Sequence, residues 1–237
     1  MSKSEAFCID CMEGMKQYPD KYFDIAIVDP PYGGVTQGGY MRNNKSCARL
    51  AKERDYNTEL WNQSKPGADY FHELFRVSKN QIIWGGNYFV EEIQRNSQCW
   101  LVWDKCHPAG VGFADVELAW TSYDRASRIF RFLWNGMLQG QPGAGEKMQG
   151  NKKKNEPKIH PTQKPVSLYT WILHLFAEPG MKLLDTHLGS GSSRIAAFDV
   201  NLDFVGFEIS KTYFELQEER FARHARQLNI FLQEDTP

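Results

Sequence analysis

Two short segments carry the residue types that do chemistry, and each stands where a strand is expected to end. The first is Asp29-Pro30-Pro31-Tyr32, directly after the apolar run FDIAIV at 23–28. With proline near 5% of average usage, such a tetrapeptide arises by chance in only about one chain of this size in a thousand. A rigid Pro-Pro exit from a strand, with the aspartate as a turn residue and the tyrosine as packing, would have the same form. Its carboxylate nevertheless falls at the carboxyl end of a strand, where open α/β sheets keep their ligands. The second segment is Asp185-Thr186-His187-Leu188-Gly189-Ser190-Gly191-Ser192. Glycine without a Cβ lets a ligand approach the backbone at a helix N-terminus. Glu208 follows Gly191 by 17 residues, at the end of the next expected strand. That is about where nucleotide-binding α/β units place the acid that catches a ribose diol. A third glycine of the dinucleotide type is absent, and a tight strand-to-helix turn without a ligand has the same appearance.

The elements that must hold these segments come from an alternation of short apolar runs with helical stretches, which predicts a mostly parallel sheet covered by helices. Residues 23–28, interrupted only by Asp24, read as a buried strand. Over 67–77, Tyr70, Phe71, Leu74, Phe75 and Val77 stand at helical spacing, and 81–84 then reads as a strand closed by Gly85-Gly86. Three further strands, 99–103, 116–121 and 128–134, are rich in Trp, Phe and β-branched residues. Their close succession predicts an antiparallel edge. Then come a helix at 165–177, a strand at 182–185, the glycine turn, a helix at 192–200, a strand at 204–207 and a helix from 210 to about 226. The pattern lapses over 33–65 and 135–157. The second stretch holds Gly150-Asn151-Lys152-Lys153-Lys154-Asn155 and reads as a surface loop.

At 237 residues the chain suits one α/β catalytic domain with loop insertions at about 33–65 and 135–157. A formal net charge of -1 excludes holding a polyanion by bulk charge, so any nucleic-acid contact must come from local basic patches. Five cysteines at irregular spacing, with no apolar leader-like stretch, read as a reduced, cytoplasmic protein. No run approaches the roughly 18 apolar residues of a membrane span, and the mean hydropathy is -0.55. Cys8 and Cys11 form a CxxC whose sole available complement is Cys106-His107. The reading is two thiols at the end of a buried strand and no metal. Trp84 and Trp103, at strand ends, could line a pocket or belong to an aromatic core. His107, His160 and His187 receive no role as a base.

Asp29-Pro30-Pro31-Tyr32 resembles the catalytic tetrad of the amino-methyltransferases that act on DNA. Leu188-Gly189-Ser190-Gly191 resembles their cofactor loop, although His187-Leu188 stands where the family carries a Pro-Phe-like pair. His160-Pro161-Thr162-Gln163-Lys164-Pro165 is similar to the segment that covers the methionine end of their cofactor. The order of the three motifs is that of the family's beta group, and the resemblance runs from about Phe7 to Phe221.

The resemblance implies a Rossmann-like fold with helices on both faces of the sheet, S-adenosylmethionine as cofactor, and double-stranded DNA as partner. A homodimer is compatible with it. Asp29, Pro30, Pro31 and Tyr32 are then the catalytic residues: the Asp29 carboxylate and Pro30 carbonyl accept the N–H bonds of an exocyclic amino group, and Tyr32 offers a face for the base. Asp185, His187, Gly189, Ser190, Gly191 and Ser192 surround the cofactor and Glu208 takes its ribose. Asp10 meets its adenine, and Thr162 and Lys164 hold the methionine carboxylate. Lys45, Arg49, Lys152, Lys153 and Lys154 are the expected nucleic-acid contacts, although a solvated charge run reads the same way. Aspartate at position 29 favours N6 of adenine in a flipped-out nucleotide. The rivals are N4 of cytosine, an RNA or protein amino group, and a non-catalytic nucleic-acid-binding relative.

Overall fold

The computed structural model describes residues 2–33, 65–107, 114–134, 138–140 and 155–234. In chain order the elements are β1 (Ser4–Cys8), α1 (Cys11–Met15), β2 (Phe23–Val28), α2 (Ala68–Val77), β3 (Ser78–Trp84), α3 (Val90–Ile93), β4 (Trp100–Asp104), β5 (Val116–Thr121) and β6 (Arg128–Arg131). They continue with β7 (Leu133–Trp134), β8 (Gln139–Gly140), α4 (Val166–Phe176), β9 (Lys182–Asp185), α5 (Ser192–Asp199), β10 (Asp203–Glu208) and α6 (Lys211–Glu234). Eight strands form one sheet in the order β1-β10-β9-β2-β3-β5-β4-β6, and β7 and β8 make a small separate ladder.

The continuous apolar run of β2 suits its place between β9 and β3, both parallel to it, because such a strand is covered on both faces. On one face Ile25, Ile27 and Ile82 pack with Leu168, Ile172, Leu173 and Phe176 of α4 and Ala196 and Ala197 of α5. On the other, Ala26, Val28 and Ile83 meet Met15 and the Tyr70, Phe71, Leu74 and Phe75 stripe of α2. Each fully buried Ile, Leu or Phe stabilises this arrangement by about 1.5–3 kcal/mol. The helices therefore lie on both faces of the sheet.

Two expectations change in detail. The antiparallel part is one reversed strand, β5, placed inside the sheet between β3 and β4, while β6 runs parallel to β4 and forms the edge. Sequence order shows that strands are close but not which two enclose a third. The run expected as one strand over 128–134 divides at Phe132, with Leu133 and Trp134 turning away to pair with β8. Cys8 is exposed at the end of β1, an outer strand paired through β10, and Cys11 heads α1; the two thiols do not close a buried strand. Among the described residues no helix is long and apolar enough to cross a membrane.

Candidate active site

Because β1, β10, β9 and β2 are parallel neighbours, their carboxyl ends open on one side of the sheet. They bring Asp10, Glu208, the glycine turn and Asp29 to one cavity of about 360 Å³. The tetrad and the glycine turn, 156 residues apart from Asp29 to Asp185 in the chain, thus share a cleft.

The glycine turn is shaped from behind. Asp185 is buried and accepts hydrogen bonds from Ser193 Oγ at 2.5 Å and the His187 backbone N–H at 3.0 Å. Burial pushes its carboxyl up to about 7. Gly191 caps α5 with φ of 73°, in the left-handed region, and a Cβ there would stand 3.1 Å from Gln217 Oε1. His187, Gly189 and Ser190 face the cavity; Asp185, Gly191 and Ser192 stand behind its lining. Burial holds the His187 ring down to about 4, and it packs edge-on to Tyr70 at 5.4 Å. It is a neutral wall residue at pH 7.

The acidic residues are fixed by backbone donors. Glu208 accepts from the N–H groups of Gly189 at 2.7 Å and Ser210 at 2.8 Å, so the acid at the end of β10 is tied to the glycine turn itself. Asp10 is the N-cap of α1, accepting from Met12 N–H at 2.8 Å. Both line the cavity.

Asp29 receives the Tyr32 hydroxyl on Oδ1 at 2.6 Å and the Lys164 ammonium on Oδ2. Burial, reinforced by the nearby Asp29 charge, raises the Tyr32 phenol well above its ordinary value, so it is a hydroxyl donor at neutral pH. The Tyr32 ring stacks on Tyr88, with centroids 5.1 Å apart. It also presses on Gly85, where an added Cβ would come within 2.2 Å of it. The glycine pair after β3 therefore makes room for the tetrad tyrosine as well as ending a strand. Pro30 is buried and Pro31 borders the cavity.

The 160–165 segment crosses the same cavity, with Thr162 and Lys164 on its wall. Gln163 pins it: its backbone carbonyl accepts from Trp134 Nε1 at 2.8 Å, its Oε1 accepts from the Ile159 N–H at 2.8 Å and its Nε2 donates to Glu156 Oε1 at 2.9 Å. Glu156 pairs with the Arg220 guanidinium of α6, which donates to the Ser190 carbonyl at 2.6 Å. One partly buried ion pair thus joins this segment to the glycine turn.

Lys164 is nearly enclosed, with 4% of its side chain exposed, and its ammonium meets Glu117 of β5 at 3.1 Å in addition to Asp29. Sequence reasoning missed Glu117, Glu156, Arg220 and Gly85. Trp84 and Trp103 are core residues, 0% and 2% exposed, and do not border the cavity. Lys45, Arg49, Lys152, Lys153 and Lys154 lie outside the described residues. No cluster of three or more His, Cys, Asp or Glu suited to a metal occurs among the described residues.

A family model described as DNA methylase matches residues 90–219. The type II methyltransferase M.HinfI of Haemophilus influenzae is 24% identical over an alignment covering 89% of this chain, which spans 66% of that protein's length. Among solved structures, the M1.HpyAVI–SAM complex superimposes with a TM-score of 0.55 at 19% identity, over 93% of this chain and 100% of that one. The cytosine-N4-specific PvuII DNA methyltransferase gives 0.57 at 12% identity, over 93% and 87%. Both likenesses are of fold.

Proposed function

The chain belongs to the N6/N4 DNA methylase family, and from that premise we propose that it moves a methyl group from S-adenosylmethionine to an exocyclic amino group of a DNA base, N6 of adenine. The observation that carries this reading is the shared cavity, bordered by the Asp29 carboxylate on one side and by Gly189 and Glu208 on another.

The residues present fit the cofactor. The cavity lies within the roughly 300–1,000 Å³ range of small-ligand sites. A carboxylate has about four acceptor sites, so Glu208 can take ribose hydroxyls in addition to its two backbone donors. Asp10 suits the adenine end. The Lys164 ammonium is engaged by Asp29 and Glu117, with Tyr32 Oη at 3.4 Å, which leaves Thr162 for the methionine carboxylate. When bound, S-adenosylmethionine supplies a methyl group activated by its sulfonium.

The amino nitrogen of adenine shares its lone pair with the ring and is a weak nucleophile. Asp29, accepting an N–H from that nitrogen, favours a pyramidal geometry and the positive charge gained during attack. Tyr32, braced by Tyr88 and Gly85, offers an aromatic surface to the base. A base in a duplex reaches this depth by flipping out, at a cost of a few kcal/mol. The insertions at 33–65 and 135–157, with Lys45, Arg49 and Lys152 to Lys154, are assigned to DNA contact and target recognition within a single catalytic domain.

The test is digestion of duplex DNA after incubation with methyl-labelled cofactor, with RNA and protein in parallel. Label in N6-methyladenine is expected. Label in N4-methylcytosine would replace the adenine assignment, and label confined to RNA or protein would overturn the DNA reading.

A further inference from the structure

Glu117 lies in the one reversed strand of the sheet. Reversal puts the start of β5, not its end, on the side where the parallel strands finish, so the second residue of β5 faces the site. Its Oε1 takes the Lys105 ammonium at 2.6 Å and its Oε2 has the Lys164 ammonium at 3.1 Å. Lys164 therefore sits between two carboxylates, Asp29 and Glu117, and over the Trp84 ring at 5.4 Å. A lone buried ammonium on Asp29 would orient that carboxylate but also cancel its charge, and the charge is what the amino nitrogen needs. A second carboxylate on the ammonium removes the conflict.

We propose that Glu117 is a positioning residue for methyl transfer: it shares the Lys164 ammonium with Asp29, so that Lys164 holds the Asp29 carboxylate in place without neutralising it. This rests on the proposed methyl transfer. Burial would raise the Glu117 carboxyl, but the Lys164 and Lys105 ammonium groups outweigh it and bring it down to about 2. Burial would likewise lower Lys164, and Asp29 and Glu117 outweigh it, so its net shift is upward. The other groups around this pair are the hydroxyls of Tyr32 and Tyr169 and the His160 ring, the last held neutral by burial and by Lys164 itself.

Glu117→Gln, Glu117→Asp and Lys105→Met test it by two independent readouts. The first is single-turnover methyl transfer to duplex DNA. In Glu117→Gln it is expected to fall roughly ten- to a hundredfold, with the Kd for S-adenosylmethionine within about twofold of wild type. Glu117→Asp should recover part of the rate. The second is the ¹⁵N resonance of the Lys164 ammonium. In wild type it should stay charged past about pH 10.4, the ordinary lysine value. In Glu117→Gln, where burial is opposed by one carboxylate, its titration should move downward from the wild-type position. Lys105→Met, which concentrates Glu117 on Lys164, should leave it charged and supplies the answer if Glu117→Gln does not fold: a downward shift there refutes the proposal. A Glu117→Gln rate within threefold of wild type, or an unmoved Lys164 titration, also refutes it. Wild-type protein that transfers no methyl group to DNA overturns the proposed function instead.

Discussion

Replacing Asp29 by Asn separates what the carboxylate does for the fold from what it does for the reaction. An amide can keep its carbonyl toward Lys164 and turn its NH2 group toward Tyr32, whose hydroxyl rotates from donor to acceptor. Both contacts survive, and the melting temperature should stay within a few degrees of wild type. What is lost is charge. A hydrogen bond to an ionised acceptor is stronger than a neutral one by about 1–2 kcal/mol. A full charge pair at about 4 Å and an effective dielectric constant of about 20 is worth about 4 kcal/mol, so the partial charge on nitrogen at the transition state accounts for about half of that. The loss of about 3 kcal/mol slows single-turnover transfer by roughly two orders of magnitude. Cofactor affinity, measured by calorimetry, should change less than about twofold, because the assigned cofactor contacts lie on the glycine turn, Glu208, Asp10 and the 160–165 segment rather than on Asp29. A transfer rate within fivefold of wild type refutes the role given to Asp29. So does a rate loss matched by an equal loss of cofactor affinity.

Glu208→Gln cannot satisfy both the Gly189 and Ser210 N–H groups and offers the ribose a neutral acceptor. Cofactor Kd should rise roughly ten- to a hundredfold by calorimetry. Gly191→Ala forces a side chain into φ of 73° and against Gln217; at about 1–2 kcal/mol for the left-handed conformation, thermal denaturation should show a fall of roughly 2–8 °C. His160 and His187 are held down to about 4 by burial, and an unfolded histidine titrates near 6.5. The unfolded chain therefore binds more protons between about pH 6.5 and 4. Their contribution is complete above pH 6.5 and is lost as pH falls toward 4, by on the order of 3 kcal/mol at most for each. Asp185, raised to about 7, acts in the opposite sense over the same range. Urea midpoints of His160→Gln against wild type isolate the histidine share: the variant should lose less stability between pH 7 and 4, and parallel curves would contradict the assignment.

The strands that bear the site were legible because their apolar runs are local. β2, β5 and β9 have the bounds expected of them, and the residues that follow β2 and β9 form the two chemical segments. β3 begins three residues earlier than expected because Ser78, Lys79 and Asn80 are polar, yet Ser78 and Asn80 still pair with Phe23 and Ile25 of β2. Glu117 was not legible. In the sequence Val-Glu-Leu it looks like the solvent-facing member of an alternating strand, and its partners Lys105 and Lys164 are brought to it by the sheet order alone. Glu156 and Arg220 are hidden for the same reason, one just before the 160–165 segment and the other on the last helix. Trp84 and Trp103 were open between pocket and core, because a strand-end tryptophan is equally at home in either, and both lie in the core.

The outermost strand on the cofactor side pairs Ser4 with Phe204 and Cys8 with Glu208. β1 thus has no sheet neighbour until β10, 200 positions further along the sequence, is in place. Until β10 emerges, β9 presents an open parallel edge and Glu208 is not there to fasten the glycine turn, so a nascent or truncated chain exposes an apolar ladder without a nucleotide pocket. Ligand can then stabilise only a chain in which β10 has docked, so closing this side of the sheet and completing the pocket are one event.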